Sequence, residues 1–454
     1  ALLQKDATFM KKYETTDIRD VALVGHGKSG KTSLAEAFLF DAKMTTRLGK
    51  VDDETSVLDT EPEEIKRKSS VQAAVAYCEW KKRKINVIDV PGDGNFCGDA
   101  EMGIMAADAV VVVVSAPDGV QVGTERGWDL TNRRELPRMI FINKLDRERA
   151  DFNRALAEVK EILSNEAVPL QIPIGKEGSF SGVVDLLTNK AYTFSDDGRT
   201  VTVGDVPADL ADEAEEARME LIEGIASSDD DLLEKYLETE ELSEEEINQG
   251  LSKGILDGTI VPVLCGSATR NLGVQPVMDL IINAFPSPAD RPPTRAKGSG
   301  DKDIELVADP DGAFSAFVFK TFSADIGKIA LLRVISGSLT SDMNISNATR
   351  RGKERAGQIY GIIGKKRDNM EKAVAGDIIG LAKLKETKTG DSLCEEKATV
   401  LFTMPTLPDP VISFSIRPKA KGDEEKMASK LNDILEEDIS LKLTRDQASK
   451  EMLI

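Results

Sequence analysis

The segment Gly25–Thr32, which reads GHGKSGKT, constrains this chain most strongly. Two glycines separated by four residues and followed by Lys and Thr are typical of a phosphate-binding loop. The preceding run Val21–Val24 is apolar and predicts a buried strand, and SLAEAFLF after the loop predicts a helix. In that setting the backbone N–H groups and the helix N-terminus face a bound anion. Lys31 would reach the terminal phosphates of a nucleotide, and the Thr32 hydroxyl would hold Mg²⁺.

A second signal is Asp89, which ends a predicted strand, INVID, and is followed by Pro91 and Gly92. A carboxylate at this place can hold Mg²⁺ through water. Gly92 can offer its N–H to a terminal phosphate and move when that phosphate leaves. The D-x-x-G pattern is weak alone, and it gains weight because it lies at a strand end after the phosphate-binding loop.

A third signal, Asn143–Asp146 (NKLD), follows the apolar segment RMIFI. The Asp146 carboxylate can accept hydrogen bonds from the N1 and N2 donors of guanine, which adenine lacks, so it would select GTP over ATP. Asn143 would brace the neighbouring loops, and the Lys144 stem would cover the face of the base. Further on, Gly266–Ala268 (GSA) follows another apolar run and can offer backbone N–H groups to guanine O6.

Strands alternating with helices through residues 18–165 predict an α/β domain with a mostly parallel sheet. Residues 172–256 interrupt this pattern with short strands and acidic helices, after which it resumes, so we predict a domain at 1–285 with an inserted acidic α+β subdomain at 172–256. Residues 41–70 have little periodicity and predict a long loop or a partly disordered segment, and loops of that length are often functional.

The remaining chain predicts three further parts. Residues 286–302 are rich in Pro, then in Gly and Ser, and predict a linker. Short apolar runs between turns predict an antiparallel β-barrel at 303–400. Residues 405–454 have a β-α-β-β pattern that stops within a strand, so we expect an incomplete α+β domain and a longer native chain.

Charge is spread unevenly over the 454 residues, whose formal net charge is −20. Residues 205–248 carry a net −16, whereas residues 328–372 carry a net +6, so the acidity of the whole chain does not exclude a nucleic-acid partner. No apolar run approaches the roughly 20 residues that a membrane helix needs. The four cysteines are widely spaced and the N-terminal segment has no apolar core, which together favour a reducing cytoplasm and no membrane contact.

In their order and spacing these motifs resemble a translational GTPase of the elongation factor G family. Segments outside the nucleotide motifs resemble the family in the expected order: LPRMIFINKLDRERADF, LEKYLETEELSEEEINQG, LGVQPVMDLIINAFPSP, RVISGSLTSD and LPDPVISFSIRPK. The resemblance implies an α/β P-loop GTPase domain with its insertion, then the barrel and part of a third domain. The family's fourth and fifth domains would be absent.

The resemblance also assigns roles, with GTP or GDP and Mg²⁺ as cofactors. Asn143, Lys144 and Asp146 would read guanine. Residues 41–70 would form the first switch, and Asp89–Gly94 would begin the second. The residues implied to bind nucleotide are Gly25, His26, Gly27, Lys28, Ser29, Gly30, Lys31, Thr32, Asp89, Gly92, Asn143, Lys144, Asp146, Ser267 and Ala268. Those implied to serve Mg²⁺ are Thr32, Ser70 and, through water, Asp89.

Three departures from the family pattern stand out. The first switch normally contains R-G-I-T, whereas residues 67–70 read RKSS, so that Ser70 keeps the hydroxyl. Asp93 stands where the family has its catalytic His, and the chain's single histidine, His26, does not replace it. Lys28 stands where the family usually has an Asp that helps to hold a monovalent cation. We hypothesise that the Lys28 ammonium takes the cation's place and pairs with Asp93 across the nucleotide. The alternative is neutral drift in a slow GTPase.

Two functions stay open at this point. One is ribosome-dependent GTP hydrolysis coupled to translocation or a related step, by a monomer whose basic barrel meets ribosomal RNA and whose acidic insertion meets stalk proteins. The other is a GTP-binding switch that docks on the ribosome and barely hydrolyses, because of Asp93. Ribosome-protection proteins and the GTPase release factor share the G domain and barrel and are a further alternative.

Overall fold

The computed structural model describes residues 10–195, 197–407, 409–418, 420, 422–446 and 451–454. Residues 1–9 of the predicted first domain and Lys450, in the last predicted strand, lie outside the described residues. In the described part, none of the helices has both the length and the apolar character to cross a membrane.

The first part of the chain alternates strands with helices. Its strands are β1 (Ile18–Val24), β2 (Ala74–Trp80), β3 (Arg83–Asp89), β4 (Ala109–Ser115), β5 (Arg138–Asn143), β6 (Ala167–Pro169), β7 (Gln171–Ile174), β8 (Gly182–Asp185), β9 (Lys190–Phe194), β10 (Val201–Gly204) and β11 (Val261–Cys265). Its helices are α1 (Lys31–Asp41), α2 (Pro62–Arg67), α3 (Cys97–Met105), α4 (Val122–Arg133), α5 (Phe152–Glu158), α6 (Ala211–Ala226), α7 (Asp230–Thr239), α8 (Glu244–Asp257) and α9 (Val274–Ala284).

Seven of these strands form one sheet in the order β2-β3-β1-β4-β5-β11-β6. β2 pairs with β3 in antiparallel fashion, and the other neighbours pair in parallel. β4, with the sequence AVVVVVS, is buried along its whole length. Such continuous apolar strands suit the middle of a parallel sheet that is covered on both faces. The predicted α/β class is therefore confirmed.

The region 172–256 departs from the parallel pattern, as predicted. β7 to β10 form a four-stranded antiparallel sheet, and the acidic helices α6 to α8 follow it. The chain then returns to the main sheet through β11, which lies between β5 and β6. α8 begins at a reciprocal cap, in which the Ser243 N–H donates to the Glu246 carboxylate (2.8 Å) and the Glu246 N–H approaches the Ser243 hydroxyl (3.4 Å).

Residues 41–70 contain a helix that the sequence analysis did not predict. α2 begins with Pro62, whose fixed φ suits a first helical position. The Glu64 carboxylate accepts a hydrogen bond from the Glu61 N–H (3.1 Å), which is the return half of a capping box. Only six residues long, this helix presents too few turns for a periodic apolar pattern.

Antiparallel strands dominate the second part, as expected for the barrel. The strands between residues 294 and 402 are β12 (Thr294–Lys297), β13 (Asp303–Leu306), β14 (Ser315–Ala324), β15 (Gly327–Ser336), β16 (Ser338–Thr340), β17 (Asn344–Asn347), β18 (Gly352–Arg355), β19 (Ile359–Ile363), β20 (Lys366–Met370), β21 (Lys372–Val374), β22 (Ile378–Ala382), β23 (Ser392–Glu395) and β24 (Leu401–Phe402). Eight of them form one sheet in the order β18-β17-β23-β14-β15-β22-β19-β20.

The stretch predicted as a linker contains a strand. β12 pairs with β13 and β24, and Ala296 in its middle is buried. The last part of the chain has β25 (Ser415–Ile416), α10 (Glu424–Glu437), β26 (Thr444–Arg445) and β27 (Met452–Leu453), in the predicted β-α-β-β order. The exact domain boundaries stay predictions.

Buried ion pairs join the parallel sheet to the eight-stranded sheet. Lys84 of β3, fully buried, pairs with Asp377, which directly precedes β22. Arg333 of β15 pairs with Asp20 of β1, and its guanidinium also donates to Asp108 (2.6 Å). These contacts lie at the amino ends of β1 and β3, and the candidate site described next lies at the opposite ends of the same strands.

Candidate nucleotide-binding site

The phosphate-binding loop connects β1 to α1 at the carboxyl edge of the sheet. Gly30 has φ 103°, which L side chains rarely adopt, and a Cβ there would lie 2.2 Å from Asn143 Nδ2. Lys31 is buried, and its ammonium donates to the carbonyls of Gly25 (3.0 Å) and His26 (2.9 Å). Burial lowers the pKa of Lys31, while the Asp89 carboxylate opposes this effect. The amine therefore sits inside the turn of its own loop.

Three oxygen-bearing side chains meet beside this lysine. The Thr32 hydroxyl donates to Asp89 Oδ2 (2.6 Å) and lies 3.2 Å from the Ser70 hydroxyl. Asp89 is buried, which raises the pKa of its carboxyl. Within the part of the chain that the structure describes, Asp89 Oδ1 has no hydrogen-bond partner. We refer to Thr32, Ser70 and Asp89 as the oxygen cluster.

The oxygen cluster fits the chemistry of Mg²⁺, which prefers hard oxygen ligands and usually keeps several waters. Two hydroxyls and one carboxylate with an unpaired buried oxygen are a suitable set of donors for such an ion. These are the three residues that the sequence analysis assigned to the metal, and the fold brings them together from α1, the 41–70 loop and β3.

Asn143 joins the loops on the other side of the candidate site. Its Nδ2 donates to the Ser29 carbonyl (3.0 Å), and its Oδ1 accepts from the Ala268 N–H (2.9 Å). The Ser267 N–H donates to the Leu272 carbonyl (2.9 Å). The amides of Ser267 and Ala268, predicted to face guanine O6, are thus engaged by protein acceptors. They contribute by fixing the loops around Asn143.

Asp146 lies next to this bridge with one carboxylate oxygen buried. Among the described residues its Oδ1 has no hydrogen-bond partner, while Oδ2 is 3.9 Å from Arg147 Nε. A buried acceptor without a donor is costly unless something supplies one. Lys144 adopts φ 67°, and burial lowers the pKa of its ammonium. The unpartnered Oδ1 of Asp146 is an acceptor open to a donor, and the reading of guanine by Asp146 and Lys144 stays a prediction.

Gly92 packs directly on the phosphate-binding loop. A Cβ on Gly92 would lie 2.4 Å from the Gly25 carbonyl oxygen, 2.5 Å from Lys31 Nζ and 2.7 Å from the Gly27 N–H nitrogen, so no side chain fits there. His26 Nδ1 accepts a hydrogen bond from the Gly123 N–H (3.2 Å), which ties the loop to the first turn of α4. The predicted second switch is therefore in contact with the phosphate-binding loop.

Lys28 and Asp93 do not form the predicted pair in this structure. Asp93 is exposed, and its carboxylate accepts from the Asn95 N–H (3.0 Å), which caps a short 3-10 turn. Lys28 is also exposed, with φ 65°. In the described part of the chain no ion pair joins them, and their pairing across a nucleotide stays a prediction.

Two buried glutamates near the site were missed by the sequence analysis. Glu36 of α1 accepts hydrogen bonds from the Ser56 hydroxyl (2.8 Å) and the Val57 N–H (2.6 Å), and so holds the 41–70 loop on α1. Glu64 holds the same loop further along. The capping-box position of Glu64, two residues after Pro62, was a usable signal. Glu36 has no comparable local signature.

A parallel sheet that carries a phosphate-binding loop on one strand and an Asn-Lys-x-Asp loop on another, joined by the asparagine, defines a P-loop GTPase domain. Comparison with known protein families agrees for each part of the chain. Residues 16–287 match the elongation factor Tu GTP binding domain, residues 313–396 match elongation factor G domain 2, and residues 407–454 match elongation factor G domain III.

A crystal structure of a protein from Thermus thermophilus is similar over 97% of this chain, with a TM-score of 0.86 and 33% sequence identity. This chain spans 64% of the length of that protein. The chain belongs to the elongation factor G family of translational GTPases.

Proposed function

We propose that this chain binds GTP and GDP with Mg²⁺ and hydrolyses GTP in a ribosome-dependent manner, coupled to translocation or a related ribosomal step. One observation carries the proposal. Asn143 bonds both the loop of Ser29 and the loop of Ala268, which supports one site made of the proposed phosphate-binding and base-reading loops. Membership of a family whose factors act on the ribosome supports the rest.

In this proposal each side chain has a distinct task. Lys31 and the backbone N–H groups of its loop bind the phosphates, and Asp146 accepts from guanine N1 and N2. The oxygen cluster would hold Mg²⁺, which supplies positive charge to the β- and γ-phosphates when bound. Gly92 is close enough to the loop to offer its N–H to the γ-phosphate and to move when that phosphate leaves.

The proposed partners follow from the two charged regions. The basic region 328–372 would contact ribosomal RNA through phosphates, and the acidic helices within 205–248 would contact ribosomal stalk proteins. We propose a cytoplasmic monomer. A filter-binding assay with ribosomes at increasing salt tests the RNA part, because phosphate contacts weaken steeply with ionic strength.

The test of nucleotide choice uses Asp146→Asn. The wild-type chain should bind GTP with Mg²⁺ and show no comparable affinity for ATP. In xanthine an oxygen replaces the 2-amino group, and an asparagine amide can donate to that oxygen. The variant should therefore lose affinity for GTP by at least about tenfold and gain affinity for xanthosine triphosphate. Calorimetric titration measures both.

Asp129→Asn is the matched control, because Asp129 is exposed on α4 and its change removes the same charge. It should leave all affinities unchanged. Equal binding of GTP and ATP by the wild-type chain would contradict the proposal.

A second candidate function is a ribosome-docking switch with little or no hydrolysis. The observation that favours it is the exposed carboxylate of Asp93 at the position of the family's catalytic histidine. An ionised carboxylate about 4 Å from a γ-phosphate oxygen would cost from about 1 kcal/mol in water to about 4 kcal/mol near a protein surface. A histidine can orient the attacking water without adding negative charge.

Multiple-turnover phosphate release, with and without ribosomes, separates the two candidates. Substantial stimulation by ribosomes excludes the switch, whereas tight GTP binding without turnover excludes the GTPase. If the switch is correct, Asp93→His should raise ribosome-stimulated turnover by about tenfold or more. Asn95→His, two residues further along the same loop, is the control and should have no effect.

A further inference from the structure

The buried carboxylate of Glu64 holds together the two ends of the segment 60–72, which contains Ser70. Glu64 is 2% exposed and lies in the first turn of α2. Its Oε2 accepts from the N–H groups of Thr60 (3.0 Å) and Glu61 (3.1 Å). Its Oε1 accepts from the N–H groups of Val71 (3.0 Å) and Gln72 (3.2 Å). The side chain therefore ties the chain before α2 to the chain after it.

This arrangement exceeds what a helix cap needs. A capping box requires only that the side chain reach back to the N-terminal amide, which the Oε2 contacts provide. The Oε1 contacts reach forward over the whole helix to Val71 and Gln72, outside any regular element. Four backbone donors on one carboxylate use all of its acceptor sites. An uncharged amide has a single oxygen and cannot satisfy them.

The forward contacts lie next to the oxygen cluster. Ser70 directly precedes Val71, whose N–H bonds Glu64 Oε1. The Ser70 hydroxyl lies 3.2 Å from the Thr32 hydroxyl, which in turn donates to Asp89. The position of the Ser70 backbone is thus fixed by Glu64, while the hydrogen bonds of Glu64 in the described structure go to none of Thr32, Ser70 and Asp89.

We propose that Glu64 is a positioning residue, which holds the Ser70 hydroxyl at the oxygen cluster and so sets how strongly Mg²⁺ enhances nucleotide binding. The inference rests on the proposed function, because it needs a nucleotide site that uses Mg²⁺. The inference explains how the predicted first switch can place the Ser70 hydroxyl at the oxygen cluster although residues 68–70 lack the Gly-Ile-Thr sequence of the family.

The test compares Glu64→Gln with Glu63→Gln. Glu63 is the adjacent residue on the same helix, is exposed, and pairs only with Arg67 among the described residues. Affinity for a fluorescent GTP analogue is measured with Mg²⁺ and with a chelator. Glu64→Gln should reduce the enhancement by Mg²⁺ about tenfold and leave the affinity in chelator unchanged. Glu63→Gln should behave as wild type.

Action through Ser70 is tested with Ser70→Ala and the double variant. If Glu64 acts by placing Ser70, the double variant should lose no more of the Mg²⁺ enhancement than the larger single loss, because coupled sites are not additive. Glu64→Asp, which keeps the charge and shortens the reach, is the second variant and should lie between wild type and Glu64→Gln.

Limited trypsin digestion tests the inference in the absence of nucleotide. Trypsin cleaves after Lys and Arg, and Lys66, Arg67 and Lys68 lie within the segment that Glu64 holds together. Cleavage there should be several times faster in Glu64→Gln than in Glu63→Gln. The inference is overturned by Glu64→Gln matching Glu63→Gln, by equal affinity losses with and without Mg²⁺, or by additive losses in the double variant. If the wild-type chain binds no guanine nucleotide, the proposed function is wrong. In that case, equal rates of trypsin cleavage in Glu64→Gln and Glu63→Gln would also contradict the inference.

Discussion

Lys68 shows how one residue departs from the conformation its side chain prefers. It follows α2 with φ 52° and ψ 45°, in the left-handed region, and the elongation factor G family normally has Gly at this place. Left-handed backbone costs an L residue about 1–2 kcal/mol, part of which Gly recovers. We therefore expect Lys68→Gly to raise the free energy of unfolding by about 0.5–1 kcal/mol, measured by urea denaturation.

Lys66→Gly is the matched control, because Lys66 is exposed inside the same helix. Gly within a helix costs about 1 kcal/mol, so this variant should be destabilised. A loss of stability in both variants would show that the bond from Lys68 Nζ to the Asp52 carbonyl (2.7 Å) outweighs the backbone strain.

The four cysteines should differ sharply in reactivity. Cys78, Cys265 and Cys394 are buried, and burial raises the pKa of the Cys78 thiol to about 12. Cys97 is partly exposed at the start of α3. Because the thiolate is the reactive form, iodoacetamide should label the native chain once and the denatured chain four times, as read by intact mass. Cys97→Ser should abolish native labelling, and a second fast label would contradict the assignment.

At the residue scale, the side chains that the sequence analysis predicted for the site belong to short local patterns. Lys31 and Thr32 begin the helix after β1, Asp89 and Asn143 end β3 and β5, and the structure brings all four to one edge of the sheet. Glu36 was not predictable, because its amide donors lie about twenty residues away and no short pattern encodes such a contact. The Asp93 carboxylate accepts from the Asn95 N–H, a cap that the sequence analysis did not predict, and its pairing with Lys28 across a nucleotide stays a prediction.

Among the helices, α8 offers a direct test of capping in the acidic insertion. Ser243 and Glu246 exchange hydrogen bonds at its start. Removing the hydroxyl with Ser243→Ala should lower the free energy of unfolding by about 1 kcal/mol, because a helix amide loses its acceptor. Urea denaturation followed by far-ultraviolet circular dichroism measures this change.

Ser252→Ala, in the interior of α8, should have the opposite effect. The Ser252 hydroxyl donates back to the Asn248 carbonyl (2.8 Å), and Ala is the better helix former by about 0.5 kcal/mol. If Ser243→Ala and Ser252→Ala lowered the free energy of unfolding equally, the cap of Ser243 would contribute no more than an ordinary surface contact.

Helices and strands with a long apolar pattern were predicted from the sequence. Those that depend on a contact with another part of the chain were missed. β1 and α1 contain the largely apolar runs VALV and SLAEAFLF and were predicted from sequence. α2 has six residues, and its stability rests on Glu64 and Pro62 rather than on periodicity. β12 lies in a Pro-rich stretch and becomes a strand because β13 and β24 pair with it. Pairing with a strand about a hundred residues away, as β24 is, leaves no local signal.

At the scale of the whole molecule, the ion pair between Lys84 and Asp377 should contribute more to the free energy of unfolding than ion pairs on the surface. Both residues are buried, so removal of one partner leaves a charge without compensation. Lys84→Met should lower the free energy of unfolding by about 3–5 kcal/mol. Adding Asp377→Asn should recover part of the loss, because it removes the stranded charge. Calorimetry on the single and double variants measures both effects.

The control is Lys353→Met, which breaks the exposed pair of Lys353 with Glu396 in the same region of the chain. Exposed pairs contribute little, so its transition temperature should match that of the wild-type chain. A Lys84→Met variant as stable as this control would show that the buried pair does not hold the two sheets together.

β3 has Lys84 near one end and Asp89 at the other, so a single strand connects the barrel interface to the oxygen cluster. Five residues of extended chain span roughly 16 Å and have almost no slack. A displacement at one end of such a strand is therefore passed to its other end. If Asp89 serves Mg²⁺ as proposed, a shift of its carboxylate by a fraction of an ångström would be carried along β3 to the pair of Lys84 with Asp377, and so to the eight-stranded sheet.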